Sequence, residues 1–297
     1  MSQSGASSDL RLIAWRPDLA HSALREQRRA RRYVAGQLRQ CAQGALGLHA
    51  APRAGAPMFT QLLYGEGFRV LEEKAGWAWG QCSQDGYVGY LKADGLGRAL
   101  APTHRLWARA SFVYRQPDIG APVLLELSLG ARLAVRARRK GAGGRAFLHL
   151  RRGGYVVAAH AEAWPPPPRA SAARRARALQ LAQHCLHMPY LWGGRGYGGA
   201  DCSGLVMQAL TGAGLVCPRD SDMQRAAFQP HALRPAAAPR AGDLAFWPGH
   251  VGIVAPARRL LHASANAMQV VEEPWAEACA RLKARSGADV YLVRPPF

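Results

Sequence analysis

A cysteine in the setting of a nucleophile lies in the segment YGGADCSGLVMQAL, residues 197–210. Cys202 follows a glycine-rich loop and directly precedes an apolar run with helical spacing. At the first turn of a helix, unpaired backbone amides and the helix dipole favour thiolate over thiol, and nearby glycines let a substrate chain approach the sulfur. Free cysteine is also among the most often buried residue types, so Cys202 taken alone fits a structural role equally well.

A thiol catalyst needs a general base, and GDLAFWPGHVGIV, residues 242–254, supplies His250 at the start of a predicted strand. The segments HVGIV, APA and RRLLHAS predict a hairpin with residues 255–257 in the loop, which places His262 directly opposite His250. His262 would then orient the imidazole of His250. Each histidine alone is more typical of a structural residue, but the coincidence of all three side chains indicates a cysteine hydrolase.

Two further histidines, His184 and His187, have the i, i+3 spacing of a metal pair on a predicted helix. No cysteine or carboxylate completes a ligand set beside them, so we interpret them as structural. The sequence therefore predicts neither a metal nor an organic cofactor.

The proline run WPPPPR, residues 164–169, favours an extended spacer between two parts of the chain. Upstream of it, residues 52–70 recur as 117–135 at a constant offset of 65, with seven identities: Pro52/Pro117, Gly55/Gly120, Ala56/Ala121, Pro57/Pro122, Leu62/Leu127, Gly65/Gly130 and Val70/Val135. Short alternating segments broken by glycine and proline turns predict a small β-barrel for each copy. Downstream, two helices (171–188 and 203–214) and then five strands predict an α+β domain.

Composition restricts the partners. The chain of 297 residues has a formal charge of +20, but only four of its 39 basic residues are lysines. The arginine clusters 25–32, 136–145 and 169–177 lack interleaved aromatic residues, so we interpret them as solvated surfaces and predict no nucleic-acid partner. No apolar run is long enough for a secretory signal or a membrane span, which predicts no membrane partner and a cytoplasmic location. The sequence carries no signal for an oligomeric state.

Segment 170–297 resembles the NlpC/P60 cysteine peptidases, through PYLWGG and DCSGL (189–205), RDSDMQ (219–224), GDLAFW and HVGIV (242–254) and LLHAS (260–264). The first repeat copy resembles bacterial SH3-type barrels, and the second copy matches them less well. The implied fold class is α+β: two small SH3-like β-barrels followed by a papain-like catalytic domain. The implied organisation is an N-terminal extension (1–32), a first barrel (33–102), a second barrel (103–163), the proline-rich linker (164–169) and the peptidase domain (170–297).

The whole chain is similar to the γ-D-glutamyl-diamino-acid dipeptidyl peptidases that process murein stem peptides. The resemblance implies Cys202 as nucleophile, His250 as base and His262 as orienting residue, with Tyr190 at the oxyanion site. It also implies that the substrate's free N-terminal amine and peptide contact a set of polar side chains: Asp201, Ser203, Glu66, Tyr87 and Ser221. The implied partner is L-Ala-γ-D-Glu-diamino acid, and both meso-diaminopimelate and lysine fit the diamino position.

Two other functions remain compatible with the sequence. A non-catalytic wall-peptide or cell-wall binding protein would use the barrels and carry a vestigial peptidase fold, although the retained Cys202, His250 and His262 argue against it. An acyltransferase or amidase on the same scaffold would share the nucleophile and the base.

Overall fold

The computed structural model of this chain describes residues 9–166, 170–234 and 237–297. Residues 1–8 of the predicted extension and 167–169 of the predicted linker lie outside the described residues. The described part of the extension contains a helical turn, Leu10–Leu12, and a short strand, β1 (Leu19–His21), which pairs in parallel with β2 (Arg32–Val34) at the boundary with the first unit. Ala14 and Leu19 are buried against Leu71 and Trp79, so this segment packs on the first barrel-like unit.

The first unit is one open sheet. Its strands are β3 (Gln37–Cys41), β4 (Ala45–His49), β5 (Met58–Leu63), β6 (Gly67–Lys74), β7 (Trp77–Cys82), β8 (Val88–Lys92) and β9 (Leu96–Arg98). Their order across the sheet is β5-β4-β8-β7-β6-β3-β9. Alternate residues such as Leu48, Phe68 and Leu91 point into one buried core, as the period of a strand requires.

The second unit repeats this topology. Its strands are β10 (His104–Leu106), β11 (Ala110–Tyr114), β12 (Val123–Ser128), β13 (Arg132–Leu133), β14 (Val135–Lys140), β15 (Ala146–Leu150), β16 (Tyr155–Val157) and β17 (Ala161–Ala163). They form two sheets, β12-β11-β16-β15-β14 and β13-β10-β17. Strand β5 maps onto β12 at the offset of 65, and β6 maps onto β13 and β14 together. The sequence repeat is therefore a repeat of strand order.

The C-terminal part is an α+β domain, as predicted. Its elements are α1 (Ser171–Gln183), β18 (Arg195–Gly196), β19 (Gly199–Ala200), α2 (Cys202–Gly212), α3 (Ser221–Phe228), β20 (Leu244–Trp247), β21 (His250–Ala255), β22 (Arg259–Ser264), β23 (Gln269–Pro274), α4 (Trp275–Ser286) and β24 (Tyr291–Val293). The antiparallel sheet has the order β23-β22-β21-β20-β24. Helix α2 is buried along almost its whole length in the same core as this sheet.

The helices differ from the prediction in two ways. Helix α1 ends at Gln183 instead of residue 188, and His187 has a left-handed φ of 64° before Pro189. Helices α3 and α4 were not predicted. The ends of α4 carry recognisable signals, because Pro274 precedes it and Gly287 ends it with a φ of 70°.

The predicted hairpin register is wrong by two residues. The observed pairs are Ile253 with Leu261 and Ala255 with Arg259, so the loop comprises residues 256–258 instead of 255–257. Ala257 and Arg258 both adopt left-handed φ values, 54° and 52°, which moves the turn one residue along the chain. On this register His262 lies opposite Gly252, and a Cβ atom at Gly252 would lie 3.1 Å from the Cβ of His262.

Candidate active site

Cys202 is the first residue of α2, and Asp201 caps the helix by accepting a hydrogen bond from the amide of Gly204 at 2.7 Å. The loop before it packs closely on the helix, because a Cβ atom at Gly204 would lie 2.2 Å from the carbonyl oxygen of Gly194. Only 7% of Cys202 is exposed. The sulfur therefore lies at the bottom of a cleft, at the position in which the sequence placed it.

The Cys202 thiol is protonated at neutral pH. Burial raises its pKa to about 11, the charge of Asp201 adds to this, and a hydrogen bond from the backbone of Val251 opposes it. The expected preference for thiolate at a helix start is thus outweighed by desolvation. Cys202 shares its buried core with Val251, which places the nucleophile beside β21, the strand that begins with His250.

A chain of hydrogen bonds leads away from His250. Its Nε2 lies 2.7 Å from Nδ1 of His262, with the two rings nearly perpendicular, and Nε2 of His262 lies 2.5 Å from Oε1 of Glu273. Arg281 holds both carboxylate oxygens of Glu273, with Nη1 at 2.7 Å from Oε2. The sequence does not predict Glu273 or Arg281 as site residues. Glu273 reaches His262 only because of the pairing between β22 and β23, in which His262 lies opposite Val271.

The charges in this chain determine the tautomers of both rings. Burial raises the pKa of Glu273, but hydrogen bonds from Arg281 and His262 outweigh it, so the pKa is lowered overall and the carboxylate is ionised. His262 must then donate from Nε2, which leaves its Nδ1 to accept a hydrogen bond from Nε2–H of His250. Nδ1 of His250 is therefore the unprotonated nitrogen. Burial, followed by the charge of His262, lowers the pKa of His250 to about 3, so this ring is neutral at pH 7.

Glu273→Gln is expected to reduce kcat about 10²- to 10⁴-fold with little change in KM, because an amide donor at this position reverses the tautomers of His262 and His250. Steady-state kinetics with the expected substrate, L-Ala-γ-D-Glu-diamino acid, measures this. Glu272→Gln is the matched control, since the neighbouring Glu272 pairs with Arg259 and not with His262. An equal loss in both variants, or a loss confined to KM, would contradict the positioning role of Glu273.

Two cavities flank the reacting groups. The acidic cavity, about 270 Å³, is lined by Cys202 and three carboxylates, Asp201, Asp220 and Asp222. Phe59 and Tyr87 of the first unit form its far wall, and the remaining lining residues are Tyr190, Trp192, Ser203, Ser221 and Gly249. The basic cavity, about 460 Å³, is lined by His250, His262, Arg281 and Arg285, and shares Tyr190, Trp192 and Gly249 with the first.

The carboxylates of the acidic cavity have different partners. Asp201 is bound by both terminal nitrogens of the buried Arg219, at 2.9 and 2.7 Å, and by the amides of Gly193 and Gly204. Asp220 accepts hydrogen bonds at Oδ2 from Tyr87 (2.5 Å) and from Arg11 (2.7 Å).

Arg11 extends this network to the rim of the cavity, where it also binds Asp222 at 2.7 Å. The N-terminal extension thus reaches the site, and no sequence signal pointed to that contact. The RDSDMQ segment predicts Ser221 as a contact, and the structure adds Asp220 and Asp222 from the same segment.

The structure brings most of the predicted site residues together. Six of them line the acidic cavity: Cys202, Tyr190, Asp201, Ser203, Tyr87 and Ser221. The two histidines line the basic cavity, which shares Tyr190, Trp192 and Gly249 with the acidic one. Burial raises the pKa of Tyr190 to about 12, so its hydroxyl is available as a donor.

Glu66 is the exception among the predicted contacts. It does not line the cavity; its carboxylate is buried, paired with Arg195 and bonded to the amide of Leu63 at 2.9 Å. Because Arg195 also binds the carbonyl oxygen of Gln61 at 2.8 Å, this pair fastens the catalytic domain to the first unit.

Within the described ranges, no three His, Cys, Asp or Glu side chains are grouped so that they could hold a metal ion. None of the helices in those ranges has the length and apolar character that a bilayer span requires.

A helix that begins with a cysteine, packed on an antiparallel sheet that carries two bonded histidines, defines the class of papain-like α+β folds. Residues 187–283 match the family model described as NlpC/P60 family, and residues 48–96 match the model for a bacterial dipeptidyl-peptidase SH3 domain. The C-terminal domain belongs to the NlpC/P60 family, and an SH3-type domain precedes it.

Solved structures share this fold. An NlpC/P60 family protein from Bacillus cereus ATCC 10987 superimposes with a TM-score of 0.66 at 18% identity, covering 80% of this chain and 94% of that one. An NlpC/P60 endopeptidase from Photobacterium damselae subsp. piscicida has a TM-score of 0.52 at 14% identity, covering 86% and 70%. A probable endopeptidase from Mycobacterium tuberculosis is 44% identical over 59 residues, which are 20% of this chain and 15% of that protein.

Proposed function

We propose that this protein is a cysteine peptidase that hydrolyses the amide between γ-D-glutamate and a diamino acid in murein stem peptides with a free N-terminal L-alanine. It releases L-Ala-D-Glu, in the cytoplasmic recycling of wall peptides. The observation that carries the proposal is the acidic cavity beside Cys202, because its far wall is formed by Phe59 and Tyr87. Such a cavity admits a short peptide end and excludes a continuous chain.

The reaction proceeds through a thioester. His250 takes the Cys202 proton at Nδ1 as the sulfur bonds to the γ-carbonyl carbon of D-glutamate. The hydroxyl of Tyr190 and a backbone amide stabilise the oxyanion, and His250 returns the proton to the departing amine as the C–N bond breaks. Water then attacks the thioester with His250 again as base, which yields the γ-carboxylic acid of L-Ala-D-Glu and regenerates the thiol.

Asp220 is the best-placed carboxylate for the substrate's ammonium group. Asp201 is already saturated by Arg219 and two backbone amides, so we assign it to fixing the loop and the helix start. Tyr87 and Arg11 occupy Oδ2 of Asp220, and in the described part of the chain no donor reaches its Oδ1. An ammonium group in this partly buried cavity needs an acceptor with such a free position.

Blocking the substrate's amine tests the proposal. L-Ala-γ-D-Glu-diamino acid is expected to release L-Ala-D-Glu, and its N-acetyl analogue is expected to lose at least about 100-fold in kcat/KM, because the acetylated nitrogen no longer offers Asp220 an ammonium group. Asp220→Asn should reduce kcat/KM for the free peptide about 10- to 100-fold. Mass spectrometry of the products measures both.

Asp289→Asn is the matched control, since Asp289 pairs with Lys283 and lines neither cavity. Equal cleavage of the free and acetylated peptides would overturn the amine assignment. Transfer of L-Ala-D-Glu to an added amine instead of water would identify an acyltransferase.

A further inference from the structure

The proposed contacts to the N-terminal half of the peptide use the acidic cavity and leave the basic cavity unassigned. It lies beyond His250, between Trp247 and the C-terminal turns of α4, which contribute Arg281 and Arg285. No aspartate or glutamate is among the residues that line it within the described ranges. The charged side chains that line the two cavities on either side of Tyr190 therefore have opposite sign.

We propose that the basic cavity binds the departing diamino acid, and that Arg285 makes the enzyme prefer a diamino acid whose side chain ends in a carboxylate, such as meso-diaminopimelate, over lysine. This inference rests on the proposed function. His250 gives its proton to the departing amine, so the departing residue must lie on the His250 side of Cys202. That side is the basic cavity, because His250 and His262 line it.

Arg285 is the guanidinium available to a ligand. Within the described residues it makes no hydrogen bond or ion pair, and it is exposed on the last turn of α4. Its charge acts on the reacting groups, because it contributes, after burial and His262, to lowering the pKa of His250. Arg281 lines the same cavity but is already bonded to both oxygens of Glu273.

The two candidate side chains differ in what they offer Arg285. Diaminopimelate ends in a carboxylate beside its ammonium group, and guanidinium binds carboxylate with two parallel hydrogen bonds. Lysine offers only an ammonium group, which a guanidinium repels. A cavity of about 460 Å³ has room for either side chain, so charge and not size decides between them.

The test compares kcat/KM for L-Ala-γ-D-Glu-meso-diaminopimelate and L-Ala-γ-D-Glu-L-lysine, which release the same product. We expect the wild-type enzyme to favour the first peptide about tenfold. Arg285→Ala should remove the preference, and Arg285→Glu should reverse it. Lys283→Ala is the control on the same helix, because Lys283 pairs with Asp289 and does not line the cavity.

The preference should also decrease as salt is added, since Arg285 is exposed. Equal rates for the two peptides, or a preference that survives Arg285→Ala, would overturn this inference and leave the proposed function standing. Failure of both peptides to yield L-Ala-D-Glu would overturn the two together.

Discussion

Replacing His250 by alanine is expected to reduce kcat about 10⁴-fold at pH 7. The Cys202 pKa of about 11 means that about one thiol in 10⁴ is ionised at that pH, so attack without a base must use this small fraction. Activity of the variant should therefore rise about tenfold per pH unit between about pH 7 and pH 10. The wild-type enzyme should show no such rise, because its base is neutral over this range.

Control variants distinguish the loss of the general base from the loss of the folded structure or of peptide binding. His231→Ala changes an exposed histidine outside both cavities and should leave kcat unchanged. Cys202→Ser should abolish turnover while retaining the fold. Wild-type-like activity of the His250→Ala variant would remove His250 from the mechanism, and peptide binding without any hydrolysis by the wild-type protein would favour the non-catalytic alternative.

The sequence alone predicts which side chains react and in which elements they lie. A cysteine at a helix start and two strand histidines are local features, and each lies within one element or one hairpin. The exact pairing was not predictable, because the conformation of Ala257 and Arg258 sets the register of β21 and β22. The histidines nevertheless bond, since they lie on the same face and diagonal neighbours in a sheet are within reach of long side chains.

Electrostatic partners were the part that the sequence could not provide. Arg11 and Asp220 are 209 positions apart, and Arg195 and Glu66 are 129 apart, so no local pattern connects them. The resemblance assigned Glu66 to the substrate from its motif alone. In the fold, the buried Arg195 needs a carboxylate, and Glu66 satisfies it.

Arg219 lies at the junction between the first unit and the catalytic domain, and its loss is expected to lower the stability of the whole chain. Arg219 is 1% exposed and binds Asp201 through two nitrogens, Ser203 at 2.9 Å and Thr60 of the first unit at 2.8 Å. Arg219→Ala is expected to lower the free energy of unfolding by about 3–5 kcal/mol, because it leaves Asp201 buried without its counter-ion. Chemical denaturation of the full chain measures this, with the exposed Arg225→Ala variant as control.

A second variant distinguishes the charge from the packing. Arg219→Met combined with Asp201→Asn removes both charges while keeping similar volumes, so it should be less destabilised than Arg219→Met alone. If the double variant were the less stable of the two, the hydrogen bonds that the Asp201 carboxylate accepts from the amides of Gly193 and Gly204 would outweigh the cost of its buried charge. In either case the acidic cavity should lose its shape, because Asp201 caps the helix that presents Cys202 and Thr60 belongs to the unit that forms the far wall.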